Sequence, residues 1–196
     1  IINETENMKN LVQKLLFLAK GEISKINTNF QIIEMKEFIQ QIYNDTEVST
    51  KTHKIYLERD DVYEVKADVT LLQQAIRALL ENAMKYSEKG TNVYIKSSII
   101  DGKNGEVSIR DEGVGISEED SRRIFDRFYR VDDSRTKATG GTGLGLAIVK
   151  RIVELHKGEI KINSELGKGT EISIVLPLVT QKTEIVPQRL RTNKKI

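Results

Sequence analysis

Asn82, Lys85 and Tyr86 stand three and four places apart in a segment with helical periodicity. On a helix such neighbours share a side. An amide oxygen there can join the oxygen shell of a hard cation, and the lysine can meet a phosphate. The plainer alternative is an amide bonded to backbone and a lysine in water, and on this helix alone it is favoured. A second group, Asp111-x-Gly113-x-Gly115, follows a strand pattern. A carboxylate just past a strand end can accept from the exocyclic amine of a purine, while the glycines permit a tight turn and close approach of a ligand. Many ordinary turns share this pattern.

Phe125 and Phe128 bracket a basic stretch that includes Arg127, Arg130 and Arg135. Two aromatics in a charged, glycine-flanked segment suit a lid anchored at one end, or a long surface loop pinned by both. The segment GGTGLGLAIVK, residues 140–150, then sets Gly140, Gly141, Gly143 and Gly145 at the mouth of an apolar helix pattern. Free amides at a helix N-terminus, with the dipole behind them, suit an anion. The spacing is neither the P-loop GxxxxGK[ST] nor a dinucleotide fingerprint. No strand runs directly into it, and no acid on a following strand answers for a ribose.

The elements that must position these groups are legible from periodicity. Residues 68–87 form a long amphipathic helix with Asp68 as N-cap. At about 100° per residue, Leu72, Ala75, Ile76, Leu79 and Ala83 share its core face, with Asn82 on the edge. Strand patterns run over 54–60, 63–68, 92–100 and 105–111, and a closing hairpin over 158–177 ends at Pro177. FQIIEM suggests a strand and residues 35–48 a helix. Helix 144–157 would bury Leu144, Ile148, Ile152 and Leu155. The expected fold is α+β: a two-layer sandwich of a mixed, mostly antiparallel sheet under helices, with an N-terminal helix. That first helix, residues 1–21, repeats Ile1, Met8 and Leu15 at heptad spacing. Leu11 and Leu18 lie between them, Val12 and Ala19 widen the stripe, and Gly21 is the expected stop. It either packs on its own domain or is one strand of a helical bundle; the spacing favours the bundle. The tail, residues 179–196, is basic and expected to be disordered.

Bulk properties narrow the functional classes. The 196 residues suffice for one sizeable core with an appendage. Lys+Arg 31 nearly balance Asp+Glu 29, which gives no support to nucleic-acid binding. With no cysteine, disulfide, thiolate-zinc and cysteine-nucleophile chemistry are closed, and a reducing cytoplasmic setting fits. No apolar run approaches the roughly 20 residues of a membrane span, so this fragment should make no membrane contact.

Taken in order, the four groups resemble the N, G1, F and G2 boxes of bacterial two-component sensor histidine kinases. These boxes lie in the catalytic ATP-binding domain, an α/β sandwich of the GHKL (Bergerat-fold) superfamily. GKGTEISIVLP, residues 167–177, is similar to the family's final strand motif. The resemblance covers about residues 29–178. Residues 1–21 look like the second helix of the dimerisation domain, with the first absent. Position by position, it implies that Asn82 coordinates Mg²⁺ bridging the ATP phosphates, that Lys85 contacts phosphate and that Tyr86 lines the nucleotide. Asp111 would accept from the adenine amine, with Gly113 and Gly115 shaping its pocket. Arg130 and Arg135 match basic lid positions that reach the γ-phosphate. Gly141, Gly143 and Gly145 would let amides approach the phosphates, with Thr142 and Leu144 completing that loop. Phosphoryl transfer is mostly positioning and charge neutralisation, so such a domain needs no nucleophile of its own.

Two departures from the family pattern refine the expectation. Position 78, often a second Asn in the kinases and a water-activating Glu in the hydrolytic relatives, is Ala78. A methyl group cannot act as a base, so the ATPase reading loses its catalytic residue. Glu81 lies about 100° around the helix from Asn82 and is a poor substitute. The second departure is the phosphoacceptor. The chain's two histidines are His53, at a strand entrance, and His156, near a helix C-terminus where a cation is favourable. Both are read as structural. The chain is therefore expected to be a catalytic fragment that does not autophosphorylate alone. Its implied partners are ATP, a dimerisation domain carrying the acceptor His, a response regulator and, in the full protein, a second copy. The expected setting is cytoplasmic, compatible with a membrane-anchored full-length protein. The alternative is a nucleotide-binding regulatory module that acts by protein contact without transfer.

Overall fold

A computed structural model describes residues 2–23, 27–131 and 142–179. Five strands form one sheet: β2 (Lys54–Asp60), β4 (Asn92–Ile99), β5 (Asn104–Asp111), β7 (Gly169–Pro177) and β6 (Glu159–Glu165), in that spatial order. Only β2 and β4 pair in parallel; the other neighbours are antiparallel. A parallel pair needs a long crossover. Here β3 (Glu64–Asp68) and helix α3 (Val69–Tyr86) supply it. β3 pairs separately with β1 (Phe30–Glu34) in a two-stranded antiparallel sheet. The expected α+β sandwich is the one observed.

Alternation places the sheet's apolar face inward. Val93, Ile95, Val107 and Ile109 are buried, while their neighbours Tyr94, Lys96, Glu106 and Arg110 stay partly in water. Three helices cover that face. α2 (Met35–Ser49) contributes Met35, Ile39 and Ile42. α3 buries all five residues expected from its periodicity, and Leu80 as well. Asp68 caps α3 as its sequence position predicts, accepting from the Leu71 N–H at 3.1 Å. The short helix α4 (Glu118–Ser121), absent from the sequence reading, is capped by Ser117.

The glycine-led helix, α5 (Gly145–Leu155), is shorter than predicted. Ile148 and Ile152 are buried as expected, but Val149 and Val153 join them and Leu155 is only half-buried. α5 is packed by both α3 and the N-terminal helix α1 (Ile2–Ile23), so a single apolar stripe is not enough to cover it. α1 itself passes straight through Gly21 before ending. Its heptad set is divided: Leu18 is buried and Leu11 packs on the core, whereas Met8 is 68% exposed, Val12 52% and Leu15 36%; Phe17, outside the set, also packs on the core. No helix among the described residues is long and apolar enough to cross a membrane.

His156, expected as a favourable cation at a helix end, is instead a buried acceptor. Its Nε2 takes the Asp68 N–H at 3.0 Å, so the ring proton is on Nδ1, which donates to the Ile152 carbonyl at 2.7 Å. Phe30 meets the ring edge-on at 5.0 Å. The histidine thus ties the end of α5 to the start of α3.

Candidate ligand-binding site

A cavity of about 320 Å³ opens between α3, the end of β5 and the start of α5. Asn82, Ala83 and Tyr86 line it from α3, Asp111 from the end of β5, Gly115 from the loop that follows, and Leu146 from α5. Ile109 and Ile172 provide an apolar floor from adjacent strands. This is a wall of flat apolar contacts with few polar groups, the usual make-up of a small-molecule site. Asn82 reaches it because it sits at the margin of the α3 core face. Alongside it, Ala78 presents only a methyl and packs against the core.

Asp111 is buried, at 8% exposure. Its Oδ1 accepts from the Gly113 N–H at 2.8 Å and the Thr170 N–H at 3.3 Å. Both bonds fall on one oxygen, which leaves the other side of the carboxylate for a ligand donor. Burial pushes its pKa above the ordinary carboxylate value, and the two backbone bonds oppose that rise. The carboxylate is therefore held where desolvation disfavours it unless a further donor arrives.

Gly113 is required by close approach. A Cβ there would collide with the Tyr86 carbonyl and stand 2.8 Å from Asp111 Oδ1. That contact lets the Tyr86 carbonyl accept from the Val114 N–H at 3.3 Å, joining the end of α3 to the Asp111 loop. Gly143 has φ +68°, and a Cβ on it would sit 2.8 Å from Phe128 Cα. Its carbonyl accepts from the Phe128 N–H at 3.0 Å. Gly145, by contrast, faces open space.

Positive charge gathers at the rim. Arg130 lines the cavity, and its buried Nε finds no hydrogen-bond partner among the described residues. Lys85, half-buried beside Asn82, has its pKa lowered first by burial and then by the Arg130 charge. A lysine held in a half-buried place beside a second cation suits an anion that meets both. The first turn of α5, which reaches the cavity through Leu146, carries amides that have no partner within the helix.

The sequence-predicted residues mostly converge. Asn82, Tyr86, Asp111, Gly115 and Arg130 line one cavity, with Lys85 at its edge and Gly113 behind Asp111. Leu144 points into the core, wholly buried, so only its backbone faces the loop, and Thr142 is exposed. Arg135 and Gly141 lie outside the described residues. The pair of phenylalanine pins is corrected: Phe125 packs on the core, but Phe128 is 59% exposed with φ 64°. Phe128 serves through its backbone, against Gly143.

Two residues that sequence reasoning missed belong to the site. Thr170 lines it and donates its amide to Asp111; the glycine-rich turn before β7 was the available signal. Tyr129 also lines it, its hydroxyl donating to Asp120 Oδ1 at 2.6 Å and its ring lying 4.3 Å from the Arg123 guanidinium. Asp120 in turn accepts from the Ser117 hydroxyl at 2.6 Å, which fixes the strand of chain leading to Arg130.

Comparison with known proteins agrees with this geometry. The family model described as histidine kinase-, DNA gyrase B- and HSP90-like ATPase matches residues 67–180. The chain is 39% identical over 182 residues to the sensor histidine kinase WalK of Bacillus subtilis (strain 168), covering 89% of this chain and 29% of that protein. It is 35% identical over 181 residues to the signal transduction histidine-protein kinase ArlS of Staphylococcus aureus (strain USA300), covering 89% and 39%. The chain thus spans well under half the length of these relatives. Among solved structures it superposes on full-length ShkA in complex with AMPPNP with a TM-score of 0.78 at 26% identity, covering 91% of this chain and 37% of that one.

Proposed function

The chain belongs to the histidine kinase-, DNA gyrase B- and HSP90-like ATPase family, and from that premise we propose that it binds Mg·ATP in the cavity between α3 and α5. Within the full protein it would transfer the γ-phosphoryl to a His of a dimerisation domain, for relay to a response-regulator Asp. The catalytic domain would be residues 29–178, and α1 the second helix of the dimerisation domain. The observation that carries the reading is that one apolar cavity is lined by both a buried carboxylate acceptor, Asp111, and a cation, Arg130, with Lys85 close enough to feel the Arg130 charge. Asp111 suits the adenine amine; Lys85 and Arg130 suit the phosphates. The relatives named as histidine kinases, and the nucleotide analogue in one solved neighbour, support it.

The donor set also fits magnesium. Among the described residues no group of three His, Cys, Asp or Glu could cage a metal. Mg²⁺ commonly needs only one or two protein ligands beside phosphate and water oxygens, and Asn82 offers one amide oxygen from the cavity wall. Bound there, the metal would neutralise charge on the transferring phosphoryl. The chain's own residues would do the rest. The floor at Ile109 and Ile172 would exclude water from the base, Asp111 would fix its orientation, and Lys85 and Arg130 would draw the phosphates. Ala78 supplies no base for a water, so the domain would hold ATP for an incoming imidazole rather than hydrolyse it.

The test is transfer in trans. Mg·ATP and this chain should label a separately produced dimerisation domain on its acceptor His with an acid-labile phosphate. Asn82→Ala should abolish that labelling. Nucleotide binding without any transfer would favour a regulatory module instead, and steady phosphate release without acceptor would refute the role given to Ala78.

A further inference from the structure

The segment leading into β2 clasps the last turn of α3. Thr50 Oγ1 donates to Met84 Sδ at 3.4 Å, and the Thr52 carbonyl accepts from the Gly90 N–H at 2.7 Å. The Lys54 N–H reaches the Thr91 carbonyl at 3.2 Å. In the middle of this clasp lies His53, 9% exposed. Its Nε2 is 3.1 Å from Ser87 Oγ, and its Nδ1 is 2.9 Å from Thr52 Oγ1.

The direction of these bonds follows from proton count. Ser87 Oγ is 2.6 Å from the Ala83 carbonyl, an acceptor only, so the single hydroxyl proton of Ser87 points there. Ser87 must then accept from His53, which places a proton on Nε2. Ser87 is the residue that ends α3, with extended backbone and no glycine to close the helix. One orphan carbonyl of the last turn is met by this serine, and the serine's orientation is set by the imidazole. The same turn carries Lys85 and Tyr86, and Tyr86 is bonded through its carbonyl to the Asp111 loop. A rigid support of this kind fixes ligand-binding groups more closely than the loop could alone.

We infer that His53 is a positioning residue for the nucleotide site: acting through Ser87, it holds the end of α3 so that Lys85 and Tyr86 face the ligand. It touches neither nucleotide nor metal. The inference rests on the proposed ATP site, and the two are separable. If the unmodified chain does not bind Mg·ATP in a calorimetric titration, both fail; if it binds, only the inference is at stake.

The experiment is a double-mutant cycle in Mg·ATP affinity, with nucleotide-free melting temperature followed in parallel. His53→Ala and Ser87→Ala should each weaken binding by about three- to tenfold, the range expected for one buried hydrogen bond. Their combination should be little worse than either, because both break the same link. His53→Gln, whose amide nitrogen can occupy the place of Nε2, should restore most of the affinity. That rescue distinguishes positioning from a general loss of packing. Unchanged affinity in His53→Ala, or losses that simply multiply in the double variant, would overturn the inference. Should His53→Ala not fold, His53→Asn replaces it in the cycle. Its amide stops short of Ser87, and affinity equal to that of the unmodified chain would be equally fatal.

Discussion

Replacing Asp111 by asparagine should separate binding from stability in opposite directions. The asparagine oxygen can take the place of Oδ1 and keep the amide bonds from Gly113 and Thr170. Its NH₂ then faces the cavity, where the carboxylate would have accepted from the adenine amine. A hydrogen bond to a charged group contributes about 1.5–3 kcal/mol. Losing it should weaken ATP binding about tenfold to 150-fold. The apo fold behaves differently. Burial raises the Asp111 pKa above its unfolded value, so its contribution to stability is full at acid pH and is lost as pH rises through the folded pKa. At neutral pH the ionised side chain is a cost, which asparagine removes. The nucleotide-free melting temperature of Asp111→Asn should therefore equal or exceed that of the unmodified chain. The same raised pKa means that ATP affinity should begin to fall on acidification before an ordinary carboxylate titrates. A further readout is base choice, since an NH₂ facing the cavity can donate to the guanine carbonyl, and the ATP-to-GTP preference should narrow. Titration calorimetry with both nucleotides, paired with thermal melts, decides the matter. Unaltered ATP affinity in Asp111→Asn, or a lower apo melting temperature with normal base preference, would refute this reasoning.

If Lys85 meets phosphate as proposed, Lys85→Ala should weaken ATP by about tenfold while leaving adenosine affinity nearly unchanged; parallel titrations with the two ligands check it. Tyr63, buried and bonded through its hydroxyl to Ser97 Oγ at 2.8 Å, has its pKa pushed up to about 12, chiefly by burial. Tyr63→Phe should cost about 1–2 kcal/mol at pH 8. Since the folded pKa is raised, that advantage of the tyrosine is present below about pH 10 and should disappear as pH rises towards 12, a trend that denaturant melts across this range would test.

Much of this molecule is readable from its sequence because periodicity reports burial. α3 is the clearest case: a single stripe meets a single core, and every residue expected on it is buried. α5 is less legible because two helices flank it: a second apolar row, Val149 and Val153, runs beside Ile148 and Ile152 at the same i,i+4 spacing, so the stripe alone does not say which edge the core covers. The boxes located Asn82 and Asp111 without revealing what lies behind them. That Thr170 shares Asp111 depends on the β5–β7 register, a pairing between strands about sixty positions apart. Phe128 shows the limit of residue type as a guide. An aromatic side chain suggests an anchor, yet its importance lies in a backbone turned to φ 64° against Gly143. His156 is structural, as its sequence position suggests, but its partner is not legible there: the buried Asp68 N–H, far off in sequence, needs an acceptor, and the ring supplies it.

The tie between His156 and Asp68 bears on how phosphate would be tracked in any transfer experiment. A phosphoryl group on Nε2 would displace the Asp68 N–H at the start of α3, and one on Nδ1 would strand the Ile152 carbonyl, in each case within the core. His53 is occupied in the same manner at both nitrogens. With these the chain's only two histidines, neither imidazole has a nitrogen to offer. Mixed with a separate acceptor, this chain would serve as a donor without background: every acid-labile phosphate counted would belong to the other molecule.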